Sequence, residues 1–441
     1  VDAAAEGRSL VGGGPGWHAR QVSPHGWRSF EGVAAAAVAA ALALALAACV
    51  RARDVLPVYL TWSEQDTSTT MTVHYHTRGA FSGSHVYYDT EPRHGDLVRY
   101  AGHARGFTRR VPGLDRDVHV VPLTRLRPGT TYWFVTGDPT SGFARERSFR
   151  TLPGDASPVS FVVGGDMSTG WLPRITAWQA ARTDPSFALL GGDLAYGRDG
   201  PEAAARWERW LADWEAGMQA PDGRLIPLVA AIGNHDRRKG DAPGTPFEIA
   251  PHFMGLLYQD ADARSYFTRR FGPRIAVFVL DSGHLAAHGG AQRDWLAAEL
   301  RAKAEVPLRF ALYHVALFPA NQPIVAEVEA GRAHWLPLFD AFRLTAAFEH
   351  HGHLHKRTHP LRGGEPTGDG TGTVFFGDGC WGKSSTKAAL PGRAYLAASQ
   401  TRRHFWKVTA SEQGVRYQAI DGLGRVFDEA AQDAAGRWSA P

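Results

Sequence analysis

Cysteine is nearly absent from this sequence. Two residues in 441, Cys49 and Cys380, are too few for a disulfide framework or a thiolate metal cluster. Any metal must therefore be held by oxygen and nitrogen ligands, and 20 histidines supply the nitrogen. An excess of charge of one sign is also missing. Lys and Arg number 48 against 44 Asp and Glu, and the two signs are interspersed. Even with a pI near 9.1 there is no basic stripe of the kind that marks nucleic-acid binding, so no nucleic-acid partner is expected. Long apolar runs are lacking apart from one near the amino terminus. With 44% hydrophobic and 21% charged residues, the composition excludes wholesale disorder, a collagen-like fibre and a polytopic membrane protein. The length calls for two or three domains at roughly 100–200 residues each.

The exceptional run, Val33 to Cys49, contains only Val, Ala and Leu before its closing cysteine. A membrane-spanning helix needs about 20 strongly apolar residues, and so much alanine fits a signal-peptide core better. Its end, Leu46-Ala47-Ala48-Cys49, resembles the lipobox of bacterial lipoproteins. That resemblance implies cleavage before Cys49 and lipidation of its thiol. Residues 1–49 are thus expected to be a signal region and 50–54 a linker. The mature chain is expected to be exported to the bacterial cell envelope, lipid-anchored through Cys49 or secreted.

Between residues 55 and 151 short runs such as TMTVHYHT and SHVYYDT alternate with period two and are separated by Gly, Pro and Asp. They predict half-buried antiparallel strands of a β-sandwich. The closing segments LTRLRPGTTYWFVTG and SFRTLPG resemble the last strands of fibronectin type III-like domains. From residue 152 to 430 apolar runs alternate with helical stretches, Ile175 to Arg182, Glu202 to Glu215 and Arg293 to Lys303, which is the pattern of an α/β domain. The fold class expected is therefore all-β followed by α/β. Residues 402–428 read as a closing hairpin and 431–441 as a tail. Trp207, Trp210 and Trp214, at helical spacing, are expected to pack on a sheet, and Cys380 to be buried.

Five apolar runs in the second domain each lead into side chains that bind metals. SFVVGG precedes Asp166, FALLGG precedes Asp193, and LVAAIG precedes Asn234 and His235; RFALY precedes His314, and LTAAF opens into EHHGHLH. Ligands gather at the carboxyl ends of strands in α/β sheets, so five such runs predict one convergent site.

The order GD, GD, GNH, H, GHxH resembles the calcineurin-like metallophosphoesterase superfamily, and within it the purple acid phosphatases. Most of the superfamily opens with Asp-x-His, whereas Ser168 stands two residues after Asp166. Purple acid phosphatases use instead a tyrosine three residues after the second Asp, and Tyr196 stands there. The resemblance implies an α/β-sandwich metallophosphoesterase domain behind the N-terminal β-sandwich. It places one metal on Asp166, Asp193, Tyr196 and His355 and a second on Asp193, Asn234, His314 and His353. A phenolate ligand favours Fe(III) at the first site, with a divalent ion (Zn, Mn or Fe) at the second. The implied activity is an acid phosphatase that hydrolyses small phosphate monoesters through a metal-bound hydroxide, with His235 facing the phosphate as a catalytic residue. One departure is evident. Plant-type members follow the ligand corresponding to His314 with further histidines, but here VALFPANQPIVAEVEAGRAHW follows. The proton donor is therefore unassigned, with His334, His351 and Glu327 as candidates and Asn321 as a conceivable phosphate contact. Alternatives are a phosphodiesterase of the same fold and a non-catalytic surface-binding lipoprotein.

Overall fold

The computed structural model describes residues 55–78, 83–138, 142–240, 243–377 and 379–439. The Val33 to Cys49 run and the lipobox-like end lie outside them, and among the described residues no helix is long and apolar enough to cross a membrane.

The N-terminal domain has two antiparallel sheets. One runs in the order Val55–Thr61, Met71–Thr77, Asp117–Leu123, Phe107–Arg110; the other pairs Gly102–Arg105, His85–Asp89, Thr131–Asp138 and Gly142–Phe143, with Arg147–Arg150 on a further edge of Thr131–Asp138. Their facing residues, among them Val73, Tyr75, Val86, Phe134 and Phe149, form the sandwich core. The strand Met71–Thr77 departs from the half-buried expectation: all seven residues are buried. Its second face, with His74 and His76, is covered because the domain docks on the one that follows. Tyr59 Oη joins that face to the next domain: it donates to the Leu256 carbonyl at 2.8 Å and lies 3.1 Å from His76 Nε2. Nearby, Arg147 closes on Glu215 at 2.6 Å, and Glu215 also accepts from the Val58 amide.

Two mixed sheets build the second domain. The first runs Leu228–Ala230, Phe187–Leu190, Val159–Gly164, His404–Ser411, Gly414–Asp421, Val426–Asp433, and the second Phe267–Phe271, Ile275–Val279, Leu308–Val315, Ala346–His350, Val374–Gly377, His355–Thr358, Leu396–Gln400. Alternation along the strands sets the layers. Phe161, Val163 and Leu189 point into the shared core with Phe310, Leu312 and Phe348. On the outer face, Val162, Ala188 and Leu190 meet the helices Trp171–Arg182 and Ala203–Gly217, the latter through Trp207, Trp210 and Trp214. Phe278, Ala311 and Ala347 are covered on the opposite side by Leu296, Leu300 and Phe339. The three tryptophans therefore pack on the sheet, as their spacing predicts. The expected break at residue 430 falls inside the last strand, Val426–Asp433. Trp438 is buried and its indole donates to the Gly372 carbonyl, so the residues expected to form a tail complete the fold.

Candidate metal centre

The parallel strands Val159–Gly164, Phe187–Leu190 and Leu228–Ala230 of one sheet and Leu308–Val315 and Ala346–His350 of the other end at a common edge. The chain leaves them in tight turns. Asp166 (φ 53°), Ser168 (62°), Asp193 (54°), Tyr196 (57°), His351 (77°) and His353 (59°) all have positive φ. Such conformations cost of order 1–3 kcal/mol each and persist where the surroundings over-determine them, typically at functional sites. Glycines admit the close approaches this needs: a Cβ on Gly379 would lie 1.7 Å from Asp166 Oδ2.

The side chains form two adjoining groups. In the first, Tyr196 Oη donates to Asp166 Oδ1 at 3.1 Å, while His353 Nε2 lies 2.8 Å from the same oxygen and 3.0 Å from the phenol. In the second, His314 Nε2 lies 3.1 Å from Asn234 Oδ1, 3.5 Å from Asp193 Oδ1 and 3.3 Å from His351 Nδ1. Asp193, His314 and His351 each offer a donor atom within 4.8 Å of the others. His314 Nδ1 sits 2.9 Å from the Gly191 carbonyl, which can only accept. That nitrogen therefore carries the proton and Nε2 points its lone pair at the cluster.

This donor set fits a cation. Asp193 Oδ2 is buried and has no hydrogen-bond partner among the described residues, which is costly for a carboxylate. Burial and the neighbouring Asp166 and Asp236 carboxylates push the Asp193 carboxyl well above its usual range. Burial also raises Asp166, but the hydrogen bond from His353 leads the effects that outweigh it and bring that carboxyl to about 2. His314 is driven far below its ordinary value, by burial first, with His351 and His284 adding to it against Asp166. It is thus neutral, the state that ligates. The Tyr196 phenol is pushed up by burial and then by Asp166 and Asp193, so only a strongly acidic ion at this place would ionise it.

Two sequence-based assignments need correction, those of His355 and His353. His355 is not brought to the cluster. It begins the next strand, His355–Thr358, where its Nε2 meets Asp428 at 3.0 Å beside Arg357, and its ring packs on Trp406 and Phe427. His351, expected only as an adjacent histidine or proton donor, takes a place in the second group, and His353 stands in the first group rather than the second. The other candidates are distributed as follows. His235 is 35% exposed at the mouth, its ring 4.3 Å from that of Tyr196 and its amide donating to Asp193 Oδ1 at 2.6 Å. Burial and then Arg198 lower its imidazole to about 4. Asn321 is tied by its amide nitrogen to the Gly352 carbonyl at 3.0 Å and to Ser385, so that nitrogen is not free for phosphate. His334 closes its helix beside Gly289. Exposed Glu327 lies close enough for its charge to act on His351. Sequence reasoning missed Asp236, which accepts from the amides of Asp193, Leu194 and Gly233 at 2.7–3.0 Å and so shapes both turns. It also missed Lys383, whose ammonium lies 4.3 Å from the Tyr196 ring centre. The GNHD run contained the first signal; no local pattern announces the second.

The sequence profile of the "Purple acid Phosphatase, N-terminal domain" family matches residues 55–151. An uncharacterized protein of Mycobacterium tuberculosis is 25% identical over 336 residues, 68% of this chain and 61% of that protein. Purple acid phosphatase 15 of Arabidopsis thaliana is 22% identical over 290 residues, covering 59% of this chain and 53% of the other. The matches thus span between half and two thirds of these relatives. Among solved structures, purple acid phosphatase PPD1 from yellow lupin seeds superposes with a TM-score of 0.71 at 17% identity, over 85% of this chain and 74% of that one. A structure of PhoD gives 0.61 at 11% identity, over 87% and 91%. At these identities the superpositions establish the fold. Taken with the N-terminal profile and the homologues, they show a β-rich N-terminal domain ahead of an α/β metallophosphoesterase domain, the architecture of the purple acid phosphatases to which this chain is similar.

Proposed function

We propose that the protein is an exported, bimetallic acid phosphatase acting on small phosphate monoesters. The observation that carries this reading is the convergence of Asp166, Asp193, Tyr196, Asn234, His314, His351 and His353 where strands of the two sheets end, with a carboxylate oxygen among them that has no hydrogen-bond partner among the described residues. Asp166, Tyr196 and His353 would hold one ion, Asn234, His314 and His351 the other, and Asp193 would serve both. The phenol favours Fe(III) in the first place, and the two imidazoles and carboxamide a divalent Zn, Mn or Fe in the second. Two such cations, when bound, would supply Lewis acidity toward a phosphoryl group and toward an attacking water. The chain's own part is orientation. Asp236 holds the turns of Asp193 and Gly233, Gly191 fixes the His314 tautomer, and half-exposed His235 at the mouth offers a hydrogen bond to an incoming phosphate oxygen. Glu327 is the candidate proton donor for the leaving group. Export and attachment through Cys49 follow from the Val33 to Cys49 run, and no nucleic-acid partner is proposed.

The test is metal analysis with a visible spectrum on the purified protein, followed by rates on a nitrophenyl monoester and the corresponding bis-ester. Two metals per chain, a tyrosinate charge-transfer band lost in Tyr196→Phe, and faster monoester hydrolysis are expected. Faster bis-ester hydrolysis would convert the reading to a phosphodiesterase. Absence of both iron and hydrolysis would leave a non-catalytic binding protein.

A further inference from the structure

We propose that a small cavity beside His351 is the leaving-group subsite and that it selects phosphate esters of short apolar alcohols. This rests on the phosphoesterase reading above and deepens it. The cavity holds about 90 Å³. Its walls are Val315, Ala316, Pro319, Pro323, Val325 and Val328 with Gln322 among them, its inner side is formed by His350, His351 and Gly352, and no carboxylate, lysine or arginine lines it. His351 is the link to the chemistry, because its Nδ1 lies 3.3 Å from His314 Nε2 within the second ligand group. A phosphoryl group seated on that cluster has this cavity next to it. The walls come from the segment after His314, where the sequence departs from plant-type members: in place of imidazoles the chain puts aliphatic and proline side chains.

The cavity is formed in advance of any ligand. Buried Glu349 accepts from the Leu317 amide at 2.7 Å, and Lys356, paired with Glu349, donates to the Phe318 carbonyl. Arg332 holds the Leu317 carbonyl at 2.7 Å, Tyr395 that of Pro319 at 2.6 Å and Arg393 that of Gln322 at 2.9 Å. With its backbone fixed on the outside, the segment presents a rigid apolar face inward, so little ordering opposes binding there. Ile324 and Val325, 40% and 42% exposed, extend the apolar surface to the rim. A volume of 90 Å³ equals about three waters at roughly 30 Å³ each. That room suits a chain of about three carbons, and its mostly aliphatic wall offers a polyol or a charged sugar few partners for its polar groups.

The experiment uses the metal-loaded protein and compares kcat/KM for methyl, ethyl, n-propyl, n-butyl and 2-hydroxyethyl phosphates. Each methylene that enters should raise kcat/KM about fourfold, up to propyl, with butyl adding little and 2-hydroxyethyl falling well below propyl. Two variants address the cavity itself. Ala316→Phe fills it, and Val325→Asp puts a charge at its rim at a position that caps the helix Ala326–His334 and so favours folding. In each the propyl-to-methyl ratio should drop toward one. A flat series in the unmodified protein, or a ratio unchanged in Val325→Asp, overturns the subsite. No turnover of any ester by protein carrying both metals overturns instead the phosphoesterase reading beneath it.

Discussion

Two regions of the molecule bury histidines, and they do so for opposite purposes. In the N-terminal domain His74 faces Thr61 Oγ1 at 2.8 Å, His76 faces Tyr59 Oη at 3.1 Å, and His119 sits between Thr77 and Ser84, both at 2.8 Å. Each of these rings is matched to a hydroxyl, stacked or edge-on to tyrosine, and carried by a regular strand. At the metal centre His314 and His351 turn nitrogens toward each other and toward carboxylate and carboxamide oxygens, and His351 and His353 lie on strained backbone. Burial lowers the affinity for a proton in both regions. Low basicity alone therefore does not distinguish a site from a core. Convergent ligating atoms around a buried carboxylate oxygen without a hydrogen-bond partner among the described residues do, because a cation satisfies them together.

The sharpest way to break this contrast is to remove the shared carboxylate. Asp193→Asn should reduce both bound metal and monoester hydrolysis by more than the ten- to hundredfold usual for an outer-shell partner; unchanged metal content and rate would end the enzyme reading. The histidines come next. His351→Ala should lower metal stoichiometry at the second site, whereas His355→Ala should retain both metals and lose stability instead. Its imidazole is one of two partners of Asp428, and Arg357 remains, so the loss is about 1–3 kcal/mol in a denaturant titration. If His355→Ala emptied a metal site and His351→Ala did not, the placement of these rings would be reversed.

That pair of histidines also shows how far the sequence could be read. The strand ends were legible because each apolar run leads into ligating side chains, and Ser168 with Tyr196 carried the resemblance to purple acid phosphatases. The string HHGHLH was ambiguous in itself. It contains two overlapping His-x-His pairs, 351/353 and 353/355, of identical chemistry. The choice depends on where the strand Ala346–His350 ends and His355–Thr358 begins, and on Asp428, which waits beyond a sheet's width of chain to receive His355. A second misreading has the same origin. Period-two alternation in Met71–Thr77 says that its faces differ, but a docking domain that buries the polar face is a long-range fact with no local trace. The expected tail from residue 431 fails for the same reason: Ala431 to Asp433 continue the last strand, and Trp438 is buried against the Gly372 carbonyl.

The smallest effect concerns the sandwich histidines and pH. In the folded protein burial, helped by Arg109, brings His74 to about 3, and burial brings His119 to about 4; both have an ordinary value of about 6.5 in an unfolded chain. As pH falls below 6.5 the unfolded state takes up these protons and the folded state does not, so stability declines from there toward the folded values. At 1.36 kcal/mol per pH unit, His74 alone removes about 2 kcal/mol between pH 6.5 and 5. The fully buried ring leaves little solvent screening to reduce this. A His74→Asn variant cannot titrate. Its stability at pH 7 should be lower, because the ring is lost from its stack on Tyr59, but its decline from pH 6.5 to 5 should be shallower by about that amount. Urea titrations at the two pH values measure the difference between slopes, in which the metal-site histidines, common to both proteins, cancel. Equal slopes would mean that His74 takes up its proton within the folded state, and that the hydroxyl-matched histidines of the sandwich resemble those of the metal centre more closely than their geometry says.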